Sequence, residues 1–292
     1  MIYRNFDQAG LDAQYNLRAR HPDFQRHFDD WAERSRSAAG TPGAALDLPY
    51  GLSPAETLDV FPAREPSAPV LVFIHGGYWR SLDKREHRFL APAWVQAGVT
   101  FVNVNYALAP AVTLDEIVRQ CRAAVAWTFR SIAGYGGDPR RIHVAGHSAG
   151  GHLTAMLLST RWAETEGLPA DPIRSGCAIS GLFDLEPVRL AFLNADLRLT
   201  PESARRNSPL YLLPPNGAPL LAAVGADETA EFLRQSADYA AAWRAGGHPC
   251  RQLVPPGRHH FSILDELADP SGAIFLALRE QMQAPGAGGR AG

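Results

Sequence analysis

The chain has 292 residues, 46% of them hydrophobic and 20% charged, enough to bury a large core and too apolar for a disordered chain. A formal charge of -2, with no basic run longer than Arg140-Arg141 or Arg205-Arg206, excludes the electrostatic footprint of a nucleic-acid binder. No apolar stretch is long enough to span a bilayer and Met1 to Asp7 lacks a secretory apolar region, so the expectation is a cytoplasmic protein with no membrane partner.

The first residues read as an arm, 1–45. Phe24, Phe28 and Trp31 fall at i, i+4 and i+7 of an otherwise charged helix, ahead of a Ser/Ala/Gly/Pro-rich linker from Ser35 to Ala45. The stripe either docks the arm on the main core or makes it a cap over an active site. From Leu46 to Met282 short apolar runs alternate with helical patterns, which predicts an α/β architecture. Strands are expected at Thr57-Phe61, Pro69-Ile74, Thr100-Asn105, Ile142-Ala145, Cys177-Ser180, Leu220-Val224 and Arg251-Val254. Helices are expected near Lys84-Ala97, Asp115-Ile132, Gly150-Trp162, Ala230-Ala245 and Ser262-Gln283. A single domain over 1–292 is expected, ending in a flexible tail at 284–292. Cys121, Cys177 and Cys250, widely spaced and odd in number, read as reduced thiols. Lys84 is the only lysine among many arginines and alanines, a GC-rich coding bias that suggests a bacterial source.

Two motifs carry chemistry. The strand ending at Ile74 runs into His75-Gly76-Gly77-Tyr78-Trp79, where a glycine pair lets a backbone N–H turn toward a nucleophile. The strand ending at Ala145 runs into Gly146-His147-Ser148-Ala149-Gly150 and then into a helical pattern, the strand–turn–helix context that G-x-S-x-G requires. Such a turn holds Ser148 Oγ beyond the sheet edge and sets the Ala149 amide at a helix N-terminus, where developing negative charge is favoured. In this architecture the acid and then the histidine follow the serine, each after a strand. Asp227, after the strand Leu220-Val224, is the expected acid, with Asp184 and Glu228 as alternatives. His260 is the expected base, fixed by Phe261 at the start of the last helix, and His259 its solvent-facing neighbour. Gly76, Trp79 and Phe183 are expected in the substrate pocket, with Tyr78, Leu182 and Phe192 nearby. His143, His147 and His152 straddle a strand and a turn without metal-ligand spacing, and no phosphate-binding glycine motif occurs, so neither metal nor cofactor is expected. A non-catalytic receptor on the same scaffold would have lost one of the three catalytic groups, and candidates for all three are present.

Taken together, His75-Gly76-Gly77-Tyr78-Trp79, Gly146-His147-Ser148-Ala149-Gly150, the segment from Asp227 to Ser236, and His260-Phe261 resemble the kynurenine formamidase branch of the α/β-hydrolase superfamily. The resemblance implies the α/β-hydrolase fold, with a mainly parallel sheet of eight-stranded type. It also implies a triad of Ser148, Asp227 and His260, and oxyanion amides from Gly77 and Tyr78 beside that of Ala149. The substrate it implies is a small-molecule formamide or ester, with a short-chain carboxylesterase as the alternative reading and a homodimer left open.

Overall fold

In a computed structural model, described here for residues 1–284, eight strands form one sheet in the order β1-β2-β4-β3-β5-β6-β7-β8. They are β1 (Ala45–Pro49), β2 (Thr57–Phe61), β3 (Ala68–Ile74), β4 (Thr100–Val104), β5 (Gly137–His147), β6 (Ile173–Ile179), β7 (Leu220–Ala223) and β8 (Cys250–Leu253). The pairs β1–β2 and β2–β4 are antiparallel, and every pairing from β4 through β3 to β8 is parallel. Central position explains composition: Val70, Leu71, Val72, Phe73 and Ile74 of β3 are all fully buried, as a parallel strand covered on both faces requires. The expected tail at 284–292 lies, beyond Ala284, outside the described residues. No helix of the described residues is long and apolar enough to cross a membrane.

Seven of the eight strands lie where the sequence places them. The eighth, β1, begins at the last residue read as arm and linker, Ala45, in a stretch where the sequence places no strand. It is a half-exposed edge strand ending in Pro49, and without a two-sided apolar run it carries little strand signal. The helix expected over Ser262-Gln283 is broken into Ser262–Leu264, Asp265–Ala268 and Ala273–Gln283, with Pro270 and Gly272 at the break.

The arm contains helices Gln8–Tyr15 and Phe24–Ala38. Its apolar stripe docks. Trp31 is 2% exposed and stacks on Phe89 with ring centroids 5.9 Å apart, while Phe28 meets Phe261 edge-on at 5.6 Å. Such aromatic pairs add about 0.5–1.5 kcal/mol each beyond the area they bury. The first helix is tied to the far side of the sheet's catalytic edge: Thr229 Oγ1 donates to the Gln14 carbonyl at 3.0 Å, and Tyr78 Oη donates to the Tyr15 carbonyl at 2.9 Å.

Candidate active site

At the end of β5 the chain turns abruptly into the helix Ala149–Leu158, and Ser148 is held at the apex with φ 58° and ψ -118°. Its N–H donates to Ile179 O at 2.8 Å, anchoring the strained turn to the neighbouring strand β6. The turn tolerates no side chain at Gly150, where a Cβ would lie 1.9 Å from the Ile74 carbonyl oxygen. The loop after β3 closes on the same point. Gly77 has φ +107°, and a Cβ there would stand 2.0 Å from the Ser81 carbonyl oxygen. Gly76 presses its α-carbon against the serine, since a Cβ built there would be 3.0 Å from Ser148 Cβ. Among the described residues the amides of Gly77, Tyr78 and Ala149 have no hydrogen-bond partner in the protein. Amides left without a protein partner near a serine are donors that an oxyanion could use.

His260 follows β8 and is 3% exposed, with its ring packed 4.6 Å from both Phe232 and His147. The expected acid is corrected here. Asp227 is exposed and makes no hydrogen bond to His260, whereas the Glu228 carboxylate, with no exposed side-chain surface, accepts the His260 Nδ1 proton at 2.7 Å. The backbone decides between them: Glu228 N–H closes a tight turn onto the Gly225 carbonyl at 3.2 Å, which turns the first acidic residue outward and the second inward. The other Glu228 oxygen accepts from Gly225 N–H at 2.9 Å and from the Ser180 hydroxyl. Asp184, the other alternative, accepts instead from Tyr3 Oη at 3.2 Å and from the amide of Glu186 at 3.1 Å. His259 is half-buried rather than solvent-facing, stacked on His21 with ring centroids 4.2 Å apart.

Ser148 and His260 open onto one cavity of about 370 Å³, a size typical for a small organic ligand. Its walls include Tyr78, Phe192 and Phe261, and from the arm Tyr15, Leu17, Phe28 and Trp31. The arm therefore both docks and supplies a wall of the site. None of the three expected pocket residues, Gly76, Trp79 and Phe183, lines this cavity, although Gly76 lies behind Ser148. Trp79 is fully buried, its indole N–H donating to His152 Nδ1 at 3.2 Å, and Phe183 is 1% exposed and stacked on Tyr239 at 4.2 Å. Both belong to the core beneath the site. The lining from the arm was signalled in sequence only by the Phe24, Phe28, Trp31 stripe, and the role of Ser180 in holding Glu228 had no signal.

The histidines near the elbow are each hydrogen-bonded within the protein. His147 Nε2–H donates to the His260 carbonyl at 2.8 Å, His152 Nε2–H donates to the Asn207 carbonyl at 2.7 Å, and His143 Nδ1 is hydrogen-bonded to Ser175 Oγ at 2.7 Å. Donor atoms of Asp23, His27 and His259 lie within 4.8 Å of one another at the arm junction. His259 Nδ1 accepts the Phe261 amide at 3.2 Å, which puts the neutral ring's proton on Nε2 and leaves no free lone pair for a cation.

Burial drives the rings of His143, His147 and His152, and those of the buried His75 and His87, toward the neutral form: His75 and His152 to about 4, His87 and His143 to about 3, and His147 well below its ordinary value. Unfolding returns them to about 6.5, so below that pH the unfolded chain binds more protons and stability falls as pH falls, down to the folded values. The Tm should therefore be highest above about pH 7 and drop steeply between about pH 6 and 4.5. A Tm that stays flat over that interval would show these rings to be protonated in the fold.

A family model described as the alpha/beta hydrolase fold matches residues 71–263, about two thirds of the chain. The chain belongs to the α/β-hydrolase family. Kynurenine formamidase of Danio rerio is 35% identical over 244 residues, 81% of this chain and 80% of that protein. Esterase LipQ of Mycobacterium tuberculosis is 37% identical over 118 residues, 38% of this chain and 28% of that one. A solved structure from Silicibacter sp. TM1040 superposes with a TM-score of 0.81 at 29% identity, covering 94% of this chain and 99% of that one. The two curated relatives are named as a formamidase and an esterase, and both names describe hydrolysis of an acyl group. The Ser148 elbow, the free amides and the Glu228–His260 pair are a set able to perform it.

Proposed function

We propose that the protein is a serine hydrolase that removes a small acyl group, formyl above all, from an aromatic amine. Ser148 Oγ attacks the formyl carbon while His260 Nε2 takes its proton, and the oxyanion is received by the amides of Gly77, Tyr78 and Ala149. Collapse transfers the proton from His260 to the departing arylamine, leaving a formyl ester on Ser148. Water, deprotonated by His260, then releases formate. Glu228 holds the imidazole in the tautomer with Nε2 unprotonated and stabilises the imidazolium formed in each step.

The observation that carries the reading is the aromatic wall of Phe28, Trp31, Tyr78, Phe192 and Phe261 around Ser148. It suits a planar leaving group, while the close approach of Gly76 to the serine leaves an acyl group little room. Similarity to the kynurenine formamidase of Danio rerio over four fifths of both chains supports the same choice. An arylamine is a weakly basic leaving group, within reach of an ordinary triad where an alkylamine is not. N-formyl-L-kynurenine is accordingly expected to have a higher kcat/KM than p-nitrophenyl acetate, and ester hydrolysis to fall sharply from acetyl to hexanoyl. Efficient butyryl and hexanoyl ester hydrolysis with no action on formylkynurenine would replace this reading with a general short-chain carboxylesterase.

A further inference from the structure

Arg18 lies on the cavity wall, and its charge is not matched by any acid. Among the described residues no carboxylate lies within 4.0 Å of its guanidinium. The other arginine of the cavity, Arg80, is neutralised by Asp196, and His147 is held neutral by burial. Of the charged side chains lining the cavity, this leaves one uncompensated cation. Glu228, behind His260, does not line the cavity and is consumed by its three donors.

The cation is also held in place. Arg18 Cζ lies over the ring of Phe24 at 5.2 Å and over that of Phe28 at 5.6 Å. Stacking on two rings fixes the plane of the guanidinium and removes much of the rotamer freedom that an exposed arginine would otherwise lose on binding. The same rings lead to the reacting centre: Phe28 packs edge-on against Phe261 at 5.6 Å, and Phe261 against His260 at 5.7 Å. Two aromatic layers therefore separate Arg18 from His260. A group that pairs with Arg18 belongs to the far end of the ligand, beyond an aromatic portion lying along those rings.

We propose that Arg18 is a specificity-determining residue of this cavity, binding a carboxylate at the end of the ligand remote from the acylated nitrogen. This rests on the formamidase reading for the leaving group but not for the anion. A planar carboxylate can take two parallel N–H bonds from a guanidinium, which a lysine cannot offer. Because Arg18 is exposed at the cavity mouth, water and salt screen the pair, and its effect should be near tenfold rather than thousands.

The test uses N-formyl-L-kynurenine and its α-carboxamide, which differ only in the anionic group. For the wild type, kcat/KM should favour the carboxylate by about tenfold or more, through KM, and the preference should shrink as ionic strength rises. Arg18→Met, which retains an unbranched apolar stem over the rings, should erase the preference, and Arg18→Lys should restore part of it. A preference that survives in Arg18→Met, or is absent in the wild type, overturns the proposal. A merely structural Arg18 would change both substrates together and leave their ratio intact. If neither formamide is hydrolysed, the formamidase reading fails on its own. The subsite is then judged by inhibition of p-nitrophenyl acetate hydrolysis, where 3-phenylpropanoate should bind about tenfold more tightly than 3-phenylpropanamide in the wild type and equally in Arg18→Met.

Discussion

Glu228→Gln should lower kcat by up to about 10⁴-fold, and Asp227→Asn, one residue away, should leave it within about twofold. The asymmetry follows from the hydrogen bonds around the Glu228 carboxylate. One oxygen accepts the Gly225 N–H at 2.9 Å, so an amide placed there keeps its carbonyl oxygen toward Gly225 and turns its NH₂ toward His260. His260 Nδ1, which donates to the native carboxylate at 2.7 Å, would then have to accept. The ring's proton moves to Nε2, the nitrogen that must receive the serine proton, and the imidazolium loses its counter-charge as well. Asp227 contributes only its exposed side chain to the surface, its backbone N–H donating to Arg258 O at 3.0 Å in either variant. Steady-state rates of the two variants on one substrate decide the matter, and the opposite ranking would return the acid to Asp227.

Ser148→Ala is expected to reduce kcat by at least about 10³-fold and toward 10⁶-fold, the range seen when an activated serine is removed. Folding should be little affected. The strained φ of 58° is shared by both residues, the turn is held by backbone bonds from Ser148 N to Ile179 O and from His152 N to Ser148 O, and Ser148 Oγ makes no hydrogen bond to protein among the described residues. Thermal unfolding of the variant should match the wild type, so lost turnover reports chemistry rather than collapse. Activity that persists above about a thousandth of the wild-type kcat would mean that another group attacks the substrate.

What could be read from the sequence was what is encoded locally. The elbow around Ser148, the Gly76-Gly77 loop and His260 each sit within a few residues of a strand end, and their glycines are demanded by close backbone approach. The acid was misread because distance from the strand end was the criterion. Asp227 and Glu228 are adjacent, and only the turn from Gly225 settles which one faces inward. Trp79 and Phe183 flank catalytic motifs in sequence, yet a positive φ of 57° at Trp79 sends its ring into the core. Part of the aromatic wall, Phe28 and Trp31, comes from the arm, more than a hundred residues from Ser148, and the arm's apolar period announced burial without saying against what. The edge strand β1 was missed for the related reason that half-exposed strands lack an apolar run.

Ser148 is expected to be the covalent nucleophile of this cavity, and active-site titration tests that most directly. A fluorophosphonate phosphonylates an activated serine with loss of fluoride, and peptide mass spectrometry locates the adduct. One adduct per chain is expected on the peptide carrying Ser148, with activity on N-formyl-L-kynurenine and on p-nitrophenyl acetate falling in proportion to labelling and no adduct on Ser148→Ala. Full phosphonylation of Ser148 with turnover undiminished would contradict it.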